Sequence, residues 1–129
     1  MTTTTLDTQT VLSATTLLGD NVTNPQGEDL GEIKELMIDP QTGHVAYAVL
    51  SFGGFLGLGD KLFAIPFSSL NLEKDKKHFV LDVPKERLKN APGFDKDDWP
   101  NVADRKWGQE IHTYYGVTPY WESTTSRVS

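Results

Sequence analysis

His44, His78 and His112 each stand 34 residues from the next, on what read as a turn edge, a strand and a helix. Imidazole binds metals and carries protons near neutral pH, but a metal site needs closer spacing, such as an i, i+4 pair with a carboxylate nearby. No such pairing exists, so the three read as surface or internally satisfied histidines, and no metal is expected. The run Gly53-Gly54-Phe55-Leu56-Gly57-Leu58-Gly59-Asp60-Lys61 superficially resembles a phosphate cradle. A phosphate loop must open a helix, whose N-terminal amides face the anion. Here an apolar strand follows, and Asp60 sits near where the anion would lie. Asp95-Lys96-Asp97-Asp98 lacks the central glycine and terminal glutamate of a calcium loop and reads as a capped turn. Ser51, Ser68 and Ser69 sit in no Gly-x-Ser-x-Gly elbow. Glu28/Asp29 and Glu32/Glu35 read as solvated turn and strand surfaces. The residues thus present no catalytic set and no cofactor site, and the chain is expected not to be an enzyme.

The remaining candidates are apolar. Phe55, Leu56 and Leu58 of the glycine loop either tuck over one end of a sheet or form a contact surface, since contiguous exposed apolar groups mark interfaces. Seven of the thirteen aromatic residues fall between 94 and 121. Trp99, Trp107, Tyr114 and Tyr115 among them could stack on a base or a flat ligand. Such platforms sit in basic grooves, however, and the charge from 94 to 116 is nearly balanced, so packing against a sheet is the expectation.

The elements that must position these residues follow from pattern. At 129 residues with 37% hydrophobic content, the chain suits one domain with one modest core. Mean hydropathy is −0.40, and no apolar run approaches the roughly 20 residues of a membrane span. The threonine-rich start has neither the basic nor the apolar stretch of a secretory signal. There is no cysteine, and the cytoplasm is the default compartment. The net charge of −6 lies wholly in residues 1–72, which hold eight acids and two bases. That surface repels phosphate, which argues against nucleic acid and anionic membranes as partners.

Residues 1–12 read as a disordered tail. Ser13 caps a helical turn over 14–18, closed by Gly19, and a short strand over 21–23 leads into the turn Asn24-Pro25-Gln26-Gly27. The next strand, 30–39, needs a bulge near Lys34-Glu35 to bring Ile33, Leu36 and Ile38 to one face. Residues 45–52 are apolar on both faces, which demands a cover outside the sheet. Strands over 62–67, 70–73 and 78–83 complete about six, the spacing of a small barrel or sandwich. Helices are expected over 84–90 and over 102–115, the second capped by Asn101 and ended by Gly116. Ala103, Trp107, Ile111 and Tyr114 form its apolar stripe.

One ordered set of residues carries a family likeness. Leu18-Gly19, Asn24 to Gly27, Leu30-Gly31-Glu32-Ile33, Ile38-Asp39, Val45 to Ser51, Gly53 to Gly57, Gly59-Asp60-Lys61 and Ile65-Pro66 together resemble a stand-alone PRC-barrel domain protein. Ala91-Pro92-Gly93-Phe94, Asp98-Trp99-Pro100 and Tyr114-Tyr115-Gly116 are similar to the C-terminal extension of bacterial members. The resemblance implies a mainly β fold: a small six-stranded antiparallel barrel over 13–83, with a helical aromatic extension over 84–116 packed on it and a flexible tail over 117–129. Relatives by fold include the cytoplasmic domain of the photosynthetic reaction-centre H subunit and the C-terminal domain of a ribosome maturation factor. Family roles are scaffolding and adapter contacts, with no shared catalytic set.

Three functions are therefore expected, in descending order. The first is a self-associating adapter that binds protein surfaces through Phe55, Leu56 and Leu58 or through Trp99, Trp107, Tyr114 and Tyr115. The second is a module holding a small apolar ligand between barrel and extension. The third is a ribosome-associated assembly factor, by fold analogy alone.

Overall fold

The computed structural model describes residues 11–52, 61–73 and 77–123. Its first element forms because Ser13 caps it: the hydroxyl accepts from the Thr16 amide, and α1 (Ala14–Leu17) makes one turn. The chain then enters β1 (Asn21–Thr23). Asn24, only 2% exposed, shapes the turn that follows. Its side-chain oxygen accepts from the Gln26 and Glu28 amides at 3.1 and 2.9 Å, while its amide donates to the Val83 carbonyl at 3.3 Å. One side chain thus sets the turn and ties it to the chain leaving the strand beside β1.

β2 (Asp29–Asp39) and β3 (His44–Phe52) pair antiparallel across a turn held by the Gly43 amide on the Asp39 carbonyl at 2.8 Å. The expected bulge is present: Lys34 is the extra residue between the Ile33–Leu50 and Glu35–Val49 pairs. A second irregularity departs from the sequence reading. Met37 faces Tyr47 while Ile38 faces Val45, which leaves Ala46 as the extra residue on β3. This irregularity lies beside Ile38, which is 56% exposed rather than in the core beside Ile33 and Leu36. It lets the consecutive residues Ala46 and Tyr47 pack on the same side of the sheet. At Gly31 the backbone takes φ +116°, and a Cβ there would collide with the Ser51 carbonyl oxygen, so only glycine lets β3 approach this closely.

β4 (Lys61–Pro66), a 3₁₀ turn (Phe67–Ser69), β5 (Leu70–Leu72) and β6 (His78–Leu81) complete one six-stranded sheet of order β4-β3-β2-β1-β6-β5. Two features correct the expected antiparallel closed barrel. First, β6 runs parallel to β1. The 3₁₀ turn does not reverse the chain, so β5 continues the direction of β4, and β6, returning from β5, points the same way as β1. Second, β4 and β5 are the two edge strands and do not pair with each other, so the barrel stays open. It is nonetheless strongly curled. A flat sheet of this size would hold its edges about 24 Å apart, whereas the chain from Pro66 to Leu70 reaches at most about 15 Å. The result is a half-barrel.

The inner face collects side chains from all six strands, among them Val22, Leu30, Ile33, Leu50, Phe63 and Phe79. Leu17 of α1 and Leu88 of α2 (Lys85–Lys89) close it. Burying each large aliphatic or phenyl side chain contributes about 1.5–3 kcal/mol. The outer face of β3 and β4 carries Tyr47 and Ala64, covered by α3 (Arg105–Tyr115) through Ile111 and Trp107. This is the cover that a strand apolar on both faces required.

The helix α3 starts at Arg105, three residues later than its sequence suggests. Asn101 caps a separate turn, its carbonyl taking the Asp104 amide and its side chain the Ala103 amide, and Asp104 then caps the helix through the Lys106 amide. Ala103 is consequently exposed, and the buried stripe consists of Gly108, Ile111 and His112. Past the left-handed Gly116 cap, the segment read as tail carries a further short helix, α4 (Tyr120–Ser123).

Candidate functional site

The outer cover is built around Tyr47. Its ring lies 5.3 Å from Trp107, 5.5 Å from His112 and 6.0 Å from Tyr120, centroid to centroid. Gly108 makes this possible, since a Cβ there would sit 2.6 Å from the Tyr47 hydroxyl and 3.0 Å from the Trp121 ring. On the far side, Arg87 of α2 stacks 4.3 Å over Tyr114 and donates to the Tyr114 carbonyl, while the Tyr114 hydroxyl donates back to the Arg87 carbonyl at 2.6 Å. That reciprocal pair locks α3 to α2, whose Leu88 closes the inner face.

Two clefts open beside the cover. The first, about 540 Å³, lies where the chain from Pro92 to Trp107 passes the start of β4. Gly93 rests against Phe63 and the Leu62 carbonyl with no room for a side chain. Phe94 then pairs with Leu62 in both directions, at 2.9 and 2.8 Å, and so shields that end of the β4 edge. Its ring stacks obliquely on Trp99 at 5.0 Å, and Trp99, 38% exposed, forms one wall with Trp107 behind it. Lys61, Asp95 and Asp98 rim the opening. The second cleft, about 390 Å³, separates the β2–β3 turn from the start of α3 and is lined by Met37, Ile38, Asp39, Tyr47, Arg105 and Tyr120.

The polar groups of this region hold one another in place. The Tyr120 hydroxyl donates to Asp39 Oδ2 at 2.7 Å, and Asp39 Oδ1 accepts from the Gln41 amide at 2.9 Å. The Tyr120 hydrogen bond, helped by the Gln41 and Thr42 amides, holds the Asp39 carboxyl below its usual range. Burial, together with Asp39, pushes Tyr120 up to about 12. Burial also raises Tyr47 and Tyr115 and lowers His112. Each shift moves away from neutrality, the opposite of what a general acid or base at pH 7 needs. Among the described residues, no group of three histidine or carboxylate side chains could hold a metal ion.

The structure brings together only part of the aromatic set that the sequence singled out. Trp99 and Trp107 meet at the first cleft. Tyr114 is engaged with Arg87, and Tyr115 is wedged between the two apolar clusters with its hydroxyl buried and unpartnered. Phe55, Leu56 and Leu58 lie outside the described residues. Sequence reasoning missed Asp39, His112 and Tyr120 as a connected group. Asp39 lies 81 residues from Tyr120, and only the helical spacing that places His112 beside Ile111 on the stripe of α3 hinted at its burial.

The described residues thus form a curled, open, six-stranded β half-barrel with an aromatic helical cover, and none of the described helices is long and apolar enough to cross a membrane. Residues 9–88 match the PRC-barrel domain family, so the chain belongs to that family. No curated protein matches the chain. The match ends within α2, so α3, α4 and the first cleft's aromatic wall lie beyond the family domain.

Proposed function

We propose that this protein is a non-enzymatic adapter: the half-barrel is the scaffold, and the aromatic cleft beside β4 docks a second copy of the chain. The observation that carries the reading is Trp99. A tryptophan left 38% exposed, in a cleft backed by Phe94 and Trp107, is an anchor of the type that interface hot spots use. The outward pKa shifts around Tyr120 and His112 support the non-catalytic part of the reading. The apolar triplet Phe55, Leu56 and Leu58, close in sequence to Lys61 on the cleft rim, is the second candidate surface.

Light scattering over a concentration series tests it with three chains: wild type, Trp99→Glu, and Phe55→Asp combined with Leu58→Asp. An oligomer in wild type that becomes a folded monomer in Trp99→Glu supports the cleft. Loss only in the double variant moves the contact to the glycine loop. A monomeric wild type at high concentration removes self-association.

A second reading is favoured by the 390 Å³ cleft, which lies between barrel and extension and mixes apolar walls with Arg105. A small apolar ligand fits that lining, in which Asp39 and Arg105 carry opposite charges. A thermal-shift screen of such compounds decides it: a rise above about 2 °C, the scale of a stabilisation below 1 kcal/mol, supports binding, and a flat response removes it.

A further inference from the structure

We propose that His112 is a proton-operated clasp, which holds α4 on the outer face of the barrel when neutral and releases it when protonated. His112 has no exposed surface. Both ring nitrogens are engaged by backbone groups of fixed polarity. Nδ1 lies 2.7 Å from the Gly108 carbonyl, which can only accept, so Nδ1 carries the hydrogen. The Tyr120 amide, 3.2 Å from Nε2, can only donate, so Nε2 must be bare. The ring is therefore fixed as one neutral tautomer.

A proton added at Nε2 changes both terms at once. It sets an N–H against the Tyr120 N–H, destroying the bond at the first residue of α4. It also leaves a cation enclosed by the rings of Tyr47, Tyr120 and Trp121, with centroids 5.5, 6.0 and 5.4 Å away. Attraction to those ring faces returns only part of the hydration that a buried imidazolium loses. Release of α4 satisfies both: the amide and the ring reach water together.

The surrounding charges do not cancel this. From β3 the ring meets Tyr47, and from its own helix the Gly108 carbonyl. From α4 it meets Tyr120 and Trp121, with Glu122 near enough to favour the cation. Arg105 sits 4.9 Å over Trp121 and opposes it, and Asp39 reaches the group only through the Tyr120 hydroxyl. Burial outweighs the Gly108 carbonyl and Glu122, and His112 is held below the ordinary imidazole range. The sign follows. With the docked value depressed, the clasp is at full strength above about pH 6.5, the value for a free imidazole. It weakens as pH falls through that value towards the docked one, the opening constant rising about tenfold per pH unit in between.

The test uses the full chain. Side-chain nitrogen NMR at pH 7.5 should show the Nδ1–H tautomer for His112. Below about pH 6.5, hydrogen-exchange protection of the Tyr120 amide, corrected for its intrinsic exchange rate, should fall about tenfold per unit, and above it should be constant. The Trp121 indole signal should shift in the same window, with strand amides unchanged. His112→Gln, which cannot take up a proton, should abolish the pH dependence. If that variant misfolds, the wild-type tautomer and titration still decide. The proposal is overturned if His112 carries its hydrogen on Nε2, if it protonates while Tyr120 stays protected, or if His112→Gln keeps the wild-type pH dependence.

Discussion

The two faces of this sheet are packed by different physics. The inner face is aliphatic and phenyl: Leu30, Ile33, Leu50, Phe63, Ile65 and Leu81 touch one another and need no hydrogen bond to be satisfied. The outer face is phenol, indole and imidazole, and its stability depends on partners. Tyr120 needs Asp39, and His112 needs Gly108 and the Tyr120 amide. Non-directional burial tolerates small shifts, whereas a hydrogen-bonded aromatic layer is either in register or loose. The inner face thus makes the fold, and the outer face makes a cover that can be let go. The family boundary falls between the barrel and the helices α3 and α4 of that cover, since the domain match ends before α3 begins.

The sharpest way to break this contrast is to open a hole on each side. Phe63 has no exposed surface and lies in the inner cluster, tilted against Phe52 at 6.3 Å. Phe63→Ala should cost about 3–5 kcal/mol, as large core truncations do. Urea titration followed by circular dichroism should show one lowered midpoint. All strand amides should lose protection together, because every strand leans on that cluster. If only β3 and β4 lose protection, the inner face is not a single cooperative unit.

Gly108→Ala is the matching test outside, and its sign is diagnostic. In an open helix, alanine in place of glycine stabilises by about 1 kcal/mol. Here the new methyl meets the Tyr47 hydroxyl and the Trp121 ring. Tyr47 is only 2% exposed and walled by Trp107 and His112, so its ring cannot swing aside cheaply. Overpacking of this kind costs about 1–3 kcal/mol, and the net change should be a loss of about 1 kcal/mol confined to α3 and α4. Exchange protection measured residue by residue checks it. A gain in stability would mean that the outer layer is loosely packed.

Much of the inner face was legible in the sequence, and little of the outer one. Alternating apolar residues, the bulge at Lys34 and the two-faced strand from Val45 to Phe52 are local patterns, and each has a direct structural counterpart. The parallel pairing of β6 with β1 was not legible. It depends on whether Phe67–Ser69 reverses the chain, and Ser-rich turns do either. The late start of α3 reflects competition between Asn101 and Asp104, two good caps three residues apart. The Asp39–Tyr120 bond joins residues 81 positions apart, and no local rule anticipates it.

That bond gives a smaller effect with a pH signature of its own. Tyr120→Phe keeps the ring and removes the hydroxyl, so it should cost about 1 kcal/mol, felt in α4 and in the β2–β3 turn. Because Tyr120 is raised to about 12, its contribution is fully present below about pH 10, the ordinary tyrosine value, and is lost as pH climbs through about 12. Asp39, held low, loses its part only at strongly acid pH, below the window of His112. Absorbance titration of tyrosinate, wild type against Tyr120→Phe, should remove one late-titrating group. Loss of a group that titrates near pH 10, the ordinary tyrosine value, would show that Tyr120 is not held by Asp39.

The smallest effect on folding should come from Trp99, and that is what makes it informative. Its neighbours in the cleft are Phe94, which is already secured by two backbone bonds to Leu62, and Trp107, which is packed on Tyr47. Removing the indole leaves both in place, so Trp99→Ala should shift stability by no more than about 0.5 kcal/mol, the scale of surface substitutions. A side chain that contributes this little to its own fold, yet leaves part of an aromatic face exposed at a cleft, is available to a partner. Association measured by sedimentation should therefore fall at least tenfold in Trp99→Ala while the thermal midpoint stays put. If the midpoint drops by several degrees instead, Trp99 belongs to the outer cover with Trp107, and the cleft is part of the fold rather than a place to dock.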